Sequence, residues 1–267
     1  MNKQIKVHVM HCGDVLVDRR LAYRDEGFGH VPKLGERSEE HHIWTPVSCY
    51  LIEHPAGRVV IDAGWSEEVR SDPEGHLGYA YHYCRPRLPS GQSVRERLAS
   101  RGLTAEDIRY VVISHLDVDH ISGLRMLAGA QSIMVSEPEW QAATFQKKRC
   151  EGILIEPFAL EPIPFGPYGL GKDLFGDGTV YLVFTPGHTA GLLSALVKTE
   201  KGWLLLASDA GYSAVSWNEE VLPGHMSDEK MCRDTFRWIR EFSGRDDCAA
   251  AIANHDPAVR FGDYPGN

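Results

Sequence analysis

The chain has 267 residues, carries a formal net charge of −9, and is 43% hydrophobic. That length fits one layered α/β domain, predicted to span 1–267, with enough apolar material to bury a substantial core. The acidic balance argues against a nucleic-acid-binding surface, and no apolar run approaches the length of a membrane span. The one basic run, Lys147-Lys148-Arg149, reads as a solvated helix end.

Met1 to Lys6 shows neither the apolar stretch nor the small-residue cleavage site of a signal peptide and leads into strand-like alternation. The six cysteines have no C-x-x-C spacing and are read as reduced thiols, which predicts a cytoplasmic protein. Val47 to Gly64 reads as a β-hairpin: Cys49–Ile52, a turn at His54–Gly57, then Val59–Ile61 ending in Asp62-Ala63-Gly64. Ser93, with Glu96 in capping-box position, opens a helix that Gly102 stops near Arg101. Thr104 and Asp107 repeat the box on a short turn. Arg109–Ile113 is a strand, followed by a loop and a helix near Gly123–Leu127. Ser132–Val135 is a strand, and Ser136 with Glu139 opens another helix.

Val180–Phe184 is a strand. A second hairpin follows, Leu193–Val197 and Trp203–Ala207 around Glu200-Lys201-Gly202, and it too ends in Asp-Ala-Gly, at Asp209. The repeat is read as a duplicated supersecondary unit. Ser227–Phe242 is the longest helix, and Ala249–Ala253 the last strand. Three stretches, about 19–45, 65–92 and 156–178, lack periodicity and are taken as loops framing a pocket. His41 and His42 are substrate-contact candidates there. Trp44, Tyr79, Tyr81, His82 and Tyr83 are read either as pocket lining or as aromatics tucked over the core.

His115-Leu116-Asp117-Val118-Asp119-His120 places four metal-ligand side chains within six residues after an apolar strand. Ionised carboxylates beside a core need a compensating charge, which a cation supplies. His188, Asp209 and His255 each follow a further apolar strand, where open α/β architectures build their sites.

This pattern resembles the signature of the metallo-β-lactamase superfamily, His-x-His-x-Asp-His followed by His, Asp and His, over about Val47 to Asp256. The resemblance implies a four-layer αβ/βα sandwich with two mixed β-sheets. It implies two divalent metal ions: His115, Asp117 and His188 on the first, Asp119, His120 and His255 on the second, Asp209 bridging, and Asp62 structural. The family's second His is Asp117 here. Zn²⁺ is the leading expectation, and the harder carboxylate donor admits Fe or Mn.

Among the branches, secreted β-lactamases commonly place Cys where Asp209 stands. Glyoxalase II-type thioesterases carry a helical tail after the last His, where this chain has a short one. Nuclease branches need further domains and basic surface. The N-acyl-homoserine lactonase group is the most similar: Tyr212 stands three residues after Asp209, and His255-Asp256 matches its last ligand. The implied reaction is hydrolysis of a small-molecule lactone or ester by a metal-bridging hydroxide. Tyr212 would stabilise the oxyanion, Asp119 would carry a proton, and Asp256 would orient His255 or another ligand. Two alternatives stay open: a di-iron redox or sensor protein on the same fold, and a thioesterase or other ester hydrolase. No nucleic-acid or membrane partner is expected, and the chain is read as a monomer or homodimer.

Overall fold

The structure, a computed structural model, describes residues 4–25 and 29–264. Met1 to Lys3, where the signal-peptide reading began, and residues 26–28 of the first loop lie outside the described residues. In chain order the strands are β1 (Lys6–Asp18), β2 (His42–His54), β3 (Gly57–Ile61), β4 (Cys84–Arg87), β5 (Ile108–Ile113), β6 (Ser132–Ser136) and β7 (Glu156–Phe158). They continue with β8 (Glu161–Pro162), β9 (Leu170–Asp173), β10 (Val180–Phe184), β11 (Leu193–Thr199), β12 (Gly202–Ser208), β13 (Cys248–Ala253) and β14 (Gly262–Tyr264).

These strands form two mixed sheets. One runs β14-β1-β2-β3-β5-β6-β7, with β4 also pairing to β1; the other runs β13-β12-β11-β10-β9-β8. Period-two alternation decides the layering. On β2, Tyr50 and Ile52 face a core shared with Leu182, Leu204 and Leu206 of the other sheet. Cys49 and Leu51 point the opposite way, onto the helix Val94–Ala99 through Val94 and Leu98. On β12, Leu204 and Leu206 face the shared core, while Leu205 and Ala207 meet Phe236, Ile239 and Phe242 of the helix Glu229–Ser243. Helix, sheet, sheet and helix make the predicted four-layer αβ/βα sandwich.

Both predicted hairpins form, pairing Tyr50 with Ile61 and Ala195 with Leu206. Each second strand then gains a parallel neighbour, β5 beside β3 and β13 beside β12. The duplication is inexact. The left-handed residue after the hairpin is Asp62 in the first unit (φ 61°) but Ser208, one position before Asp209, in the second (φ 51°). Asp62 therefore turns into the protein interior, and Asp209 is left free for the site.

Local capping behaves as the residues predict, with two departures. Ser93 and Glu96 close a capping box, as do Thr104 and Asp107. The last long helix begins at Glu229 and is capped by Asp228, not Ser227. The segment expected as a loop after β5 already contains a helical turn, Val118–Ile121, before the 3-10 turn Leu124–Leu127. All six cysteines are free thiols, five of them buried. Among the described residues no helix is long and apolar enough to cross a membrane.

Candidate active site

The seven side chains picked from the sequence converge. His115 leaves the end of β5, and Asp119 and His120 ride on the turn Val118–Ile121 with Asp117 at its N-cap. His188 follows β10, Asp209 follows β12, and His255 follows β13 by one intervening residue, Asn254. Donor atoms of three overlapping groups lie within 4.8 Å of one another: His115, Asp117 and His188; His115, His120 and Asp209; Asp119, His120 and His255.

The spacing sets up two pockets of donors with one carboxylate between them. Asp117 Oδ2 is 3.0 Å from His188 Nε2 and 3.5 Å from His115 Nε2. Asp119 Oδ2 is 3.3 Å from His255 Nε2 and 3.8 Å from His120 Nε2. Asp209 Oδ2 lies 3.9 Å from both His115 and His188 and 3.1 Å from His255, while its Oδ1 lies 3.3 Å from His120.

Three of the four imidazoles are held from behind through their outward nitrogens; the fourth, His188, has a buried Nδ1 with no hydrogen-bond partner among the described residues. Asp62 accepts from His120 Nδ1 at 2.8 Å, and Pro46 O accepts from His255 Nδ1 at 2.7 Å. Ser114 Oγ is 3.1 Å from His115 Nδ1. These contacts aim the Nε2 atoms of His115, His120 and His255 at the centre, the arrangement by which outer partners fix tautomer and orientation. Asp256 plays no such part. It accepts from the backbone of Ala214 and Ala258, and the Pro46 carbonyl does the orienting expected of it.

The donor set fits divalent ions. Among the described residues, His115 Nε2 and Asp209 Oδ1 are buried without a hydrogen-bond partner, an arrangement that is costly unless a cation completes it. Electrostatics agree. Burial alone would raise the carboxyl of Asp117, but His115 and His188 outweigh it and hold it well below the usual range. Burial of Asp209 is likewise overridden by His255 and His120. Burial opposes charge on His188, yet Asp117 and Asp209 push its imidazole up to about 9. Asp117 and Asp209 thus hold their charge against burial, and a bound cation would take the place of the proton on His188.

Tyr212 lies against the same centre. Its ring stacks on His255, with centroids 5.0 Å apart, and meets His188 edge-on at 6.1 Å. Burial and the charges of Asp209, Asp117 and Asp119 push its phenol well above the usual range, so it keeps its proton. Beside the acidic residues, Val118 packs on an apolar cluster with Leu21, Ile43, Ala80 and Tyr81. Of the other aromatic candidates, Tyr79 is 70% exposed and Trp44 lies under the Arg87 guanidinium, so neither is tucked over the core.

Glu139 was read only as a capping-box residue, and the structure gives it a different task. Its buried carboxylate accepts from Leu116 N at 3.0 Å and Gly191 N at 2.9 Å, tying the loop after His115 to the loop after His188. Ser136 Oγ donates to Gly191 O on the same loop. A Cβ on Gly191 would stand 2.0 Å from Glu139 N, so only glycine permits this approach. Ser114 and Ser208, whose hydroxyls are 2.8 Å apart, add a second link between the halves. His225 and Tyr23, whose rings lie 6.3 Å from His188 and 6.5 Å from Tyr212, were also not foreseen. Nothing local in the sequence marks these partners, because each is made by a segment far away in the chain.

Comparison with known proteins agrees with this geometry. Residues 42–243 match the Metallo-beta-lactamase superfamily. N-acyl homoserine lactonase AttM of Agrobacterium fabrum is 32% identical over 217 residues, covering 79% of this chain and 82% of that protein. An N-acyl homoserine lactonase of Bacillus cereus is 27% identical, covering 81% of this chain and 80% of its own. Among solved structures, an N-acyl homoserine lactone hydrolase with N-hexanoyl-L-homoserine at its catalytic metal center superposes with a TM-score of 0.77 at 21% identity, covering 96% of each chain. AidC, a dizinc quorum-quenching lactonase, superposes with a TM-score of 0.65 at 16% identity, covering 96% of this chain and 90% of that one.

Proposed function

This chain belongs to the metallo-β-lactamase superfamily, and we propose that it is a metal-dependent hydrolase that opens the ring of an N-acyl-homoserine lactone. The observation that carries the reading is Asp209, one carboxylate within reach of both donor pockets. Its similarity to curated lactonases supports the lactone as substrate.

Two divalent ions fit: His115, Asp117 and His188 would hold one, Asp119, His120 and His255 the other, with Asp209 shared. Such ions supply a water acidic enough to ionise near neutral pH and polarise a carbonyl. Zn²⁺ is the leading ion, and Asp117, placed among the donors, admits Fe or Mn. The protein's own groups do the rest. Tyr212, which keeps its proton, donates a hydrogen bond from its phenol O–H to the carbonyl oxygen as negative charge develops there. Asp119, reachable from the cleft, carries a proton to the departing ring oxygen. The apolar cluster at Val118 accepts the acyl chain of the lactone. The buried free thiols favour a cytoplasmic setting.

The test is reconstitution of metal-free protein with Zn²⁺, Mn²⁺ or Fe²⁺, with proton release from N-hexanoyl-homoserine lactone as the readout. Metal-dependent turnover is the expected result. Cleavage of an aryl ester but not the lactone would keep the hydrolase and overturn the substrate. An iron-loaded, coloured protein that hydrolyses neither would favour the redox alternative.

A further inference from the structure

A cavity of about 480 Å³ contains none of the residues of the histidine–carboxylate centre. It lies behind the turn Val118–Ile121 and is lined in part by Ile121, Ser122 and Met126. Its charged lining is unbalanced. Glu67 is engaged by Arg95, and Glu68 by His76. Three further cations line it, Arg125, Lys148 and Arg149, and among the described residues none of them has a carboxylate partner. Arg125 donates to the carbonyl of Glu151, and Lys148 sits over the Phe145 ring.

Arg149 departs from the solvated role its basic run predicted. Its guanidinium is partly buried and donates to the carbonyls of His76 and Leu77, at 2.8 and 2.5 Å. Those bonds fix the orientation of the group without neutralising it. Burial lowers its affinity for its proton, as it does for a cation left without a counter-ion. A chain of net charge −9 thus sets four Lys/Arg side chains against two carboxylates, an excess of two positive charges, around one concave site.

We propose that this cavity binds a small phosphate-bearing molecule. A phosphate dianion answers the excess charge better than a monocarboxylate, and its oxygens suit two guanidinium groups and a lysine. The volume falls in the range of small-molecule sites, roughly 300–1,000 Å³, and leaves room for an organic body against Ile121 and Met126.

The experiment is calorimetric titration of the metal-loaded protein with inorganic phosphate and with adenosine 5′-monophosphate, on wild type, Arg125→Gln, Lys148→Glu and Arg125→Lys. The expected result is saturable binding that weakens at least about tenfold in Arg125→Gln and Lys148→Glu, consistent with loss of a charge-assisted contact. Arg125→Lys, which keeps the charge, should stay within a few-fold of wild type. Absence of binding by either probe at millimolar concentration would overturn the proposal. So would binding unchanged in both Arg125→Gln and Lys148→Glu, which would assign the anion to the metal centre instead.

Discussion

Asp62 accepts a 2.8 Å hydrogen bond from His120 Nδ1, and its carboxylate also takes the backbone N–H and hydroxyl of Ser114. One buried carboxylate in a left-handed backbone conformation thereby sets the direction of a donor histidine and the end of the strand that carries His115. Asp62→Asn keeps the shape and tolerates that backbone, but it weakens the hold on His120. Metal affinity should fall by about 10–100-fold, read by chelator competition, with the folded state retained. Unchanged affinity would remove Asp62 from the site's support.

Asp117 replaces the family's usual imidazole, and it lies 3.0 Å from His188 Nε2. Asp117→Ala should lower the metal content measured by elemental analysis by close to one ion per chain. Asp117→His should restore it and shift competition between Zn²⁺ and Fe²⁺ toward Zn²⁺, because imidazole is the softer donor. If Asp117→Ala keeps full occupancy, the carboxylate is not a ligand.

Tyr212 packs face to face on the His255 ring, so replacing its hydroxyl alone should leave the packing intact. Tyr212→Phe should lower kcat by about 10²-fold with little change in KM, the pattern of a donor that acts on developing charge. A change confined to KM would make it a binding residue.

Glu139 satisfies two buried N–H groups, those of Leu116 and Gly191. Glu139→Ala leaves both without a partner, at roughly 1–3 kcal/mol each. Urea unfolding should show that loss together with weaker metal binding. Gly191→Ala should be at least as harmful, since the added carbon meets the Glu139 backbone. A stable Glu139→Ala protein with normal metal affinity would show that the clamp is dispensable.

Arg70 grips Glu96 through two hydrogen bonds, of 2.6 and 3.1 Å, and the capping box adds the Ser93 N–H. Arg70 first, then those backbone donors, bring the Glu96 carboxyl down to about 2 from a usual value of 4.5. A lowered folded-state value stabilises the fold above the unfolded-state value, and the benefit disappears as pH falls from about 4.5 toward 2. The stability difference between wild type and Glu96→Gln, measured by urea unfolding, should therefore shrink between pH 6 and pH 3. A difference independent of pH would assign the effect to packing.

The sequence by itself determined the layered architecture, both hairpins and the seven side chains that converge at the centre. Those features rest on local physics. Alternating apolar residues make strands, and Gly and Asp turns end them. A cluster such as His115-Leu116-Asp117-Val118-Asp119-His120 has few uses other than a cation. Tertiary structure alone decided what holds the donors in place. Glu139 looked like a helix cap and is a clamp between the loops after His115 and His188, because the peptide groups it serves come from Leu116 and Gly191. Asp256 looked like a partner of His255, but the carbonyl of Pro46, on β2, accepts from its Nδ1, and Asp256 caps the backbone of Ala214 and Ala258. Arg149 looked solvated until the segment around His76 folded over it. In each case the partner is supplied by a distant segment, and a buried polar group bonds whatever the packing of the two sheets brings within reach.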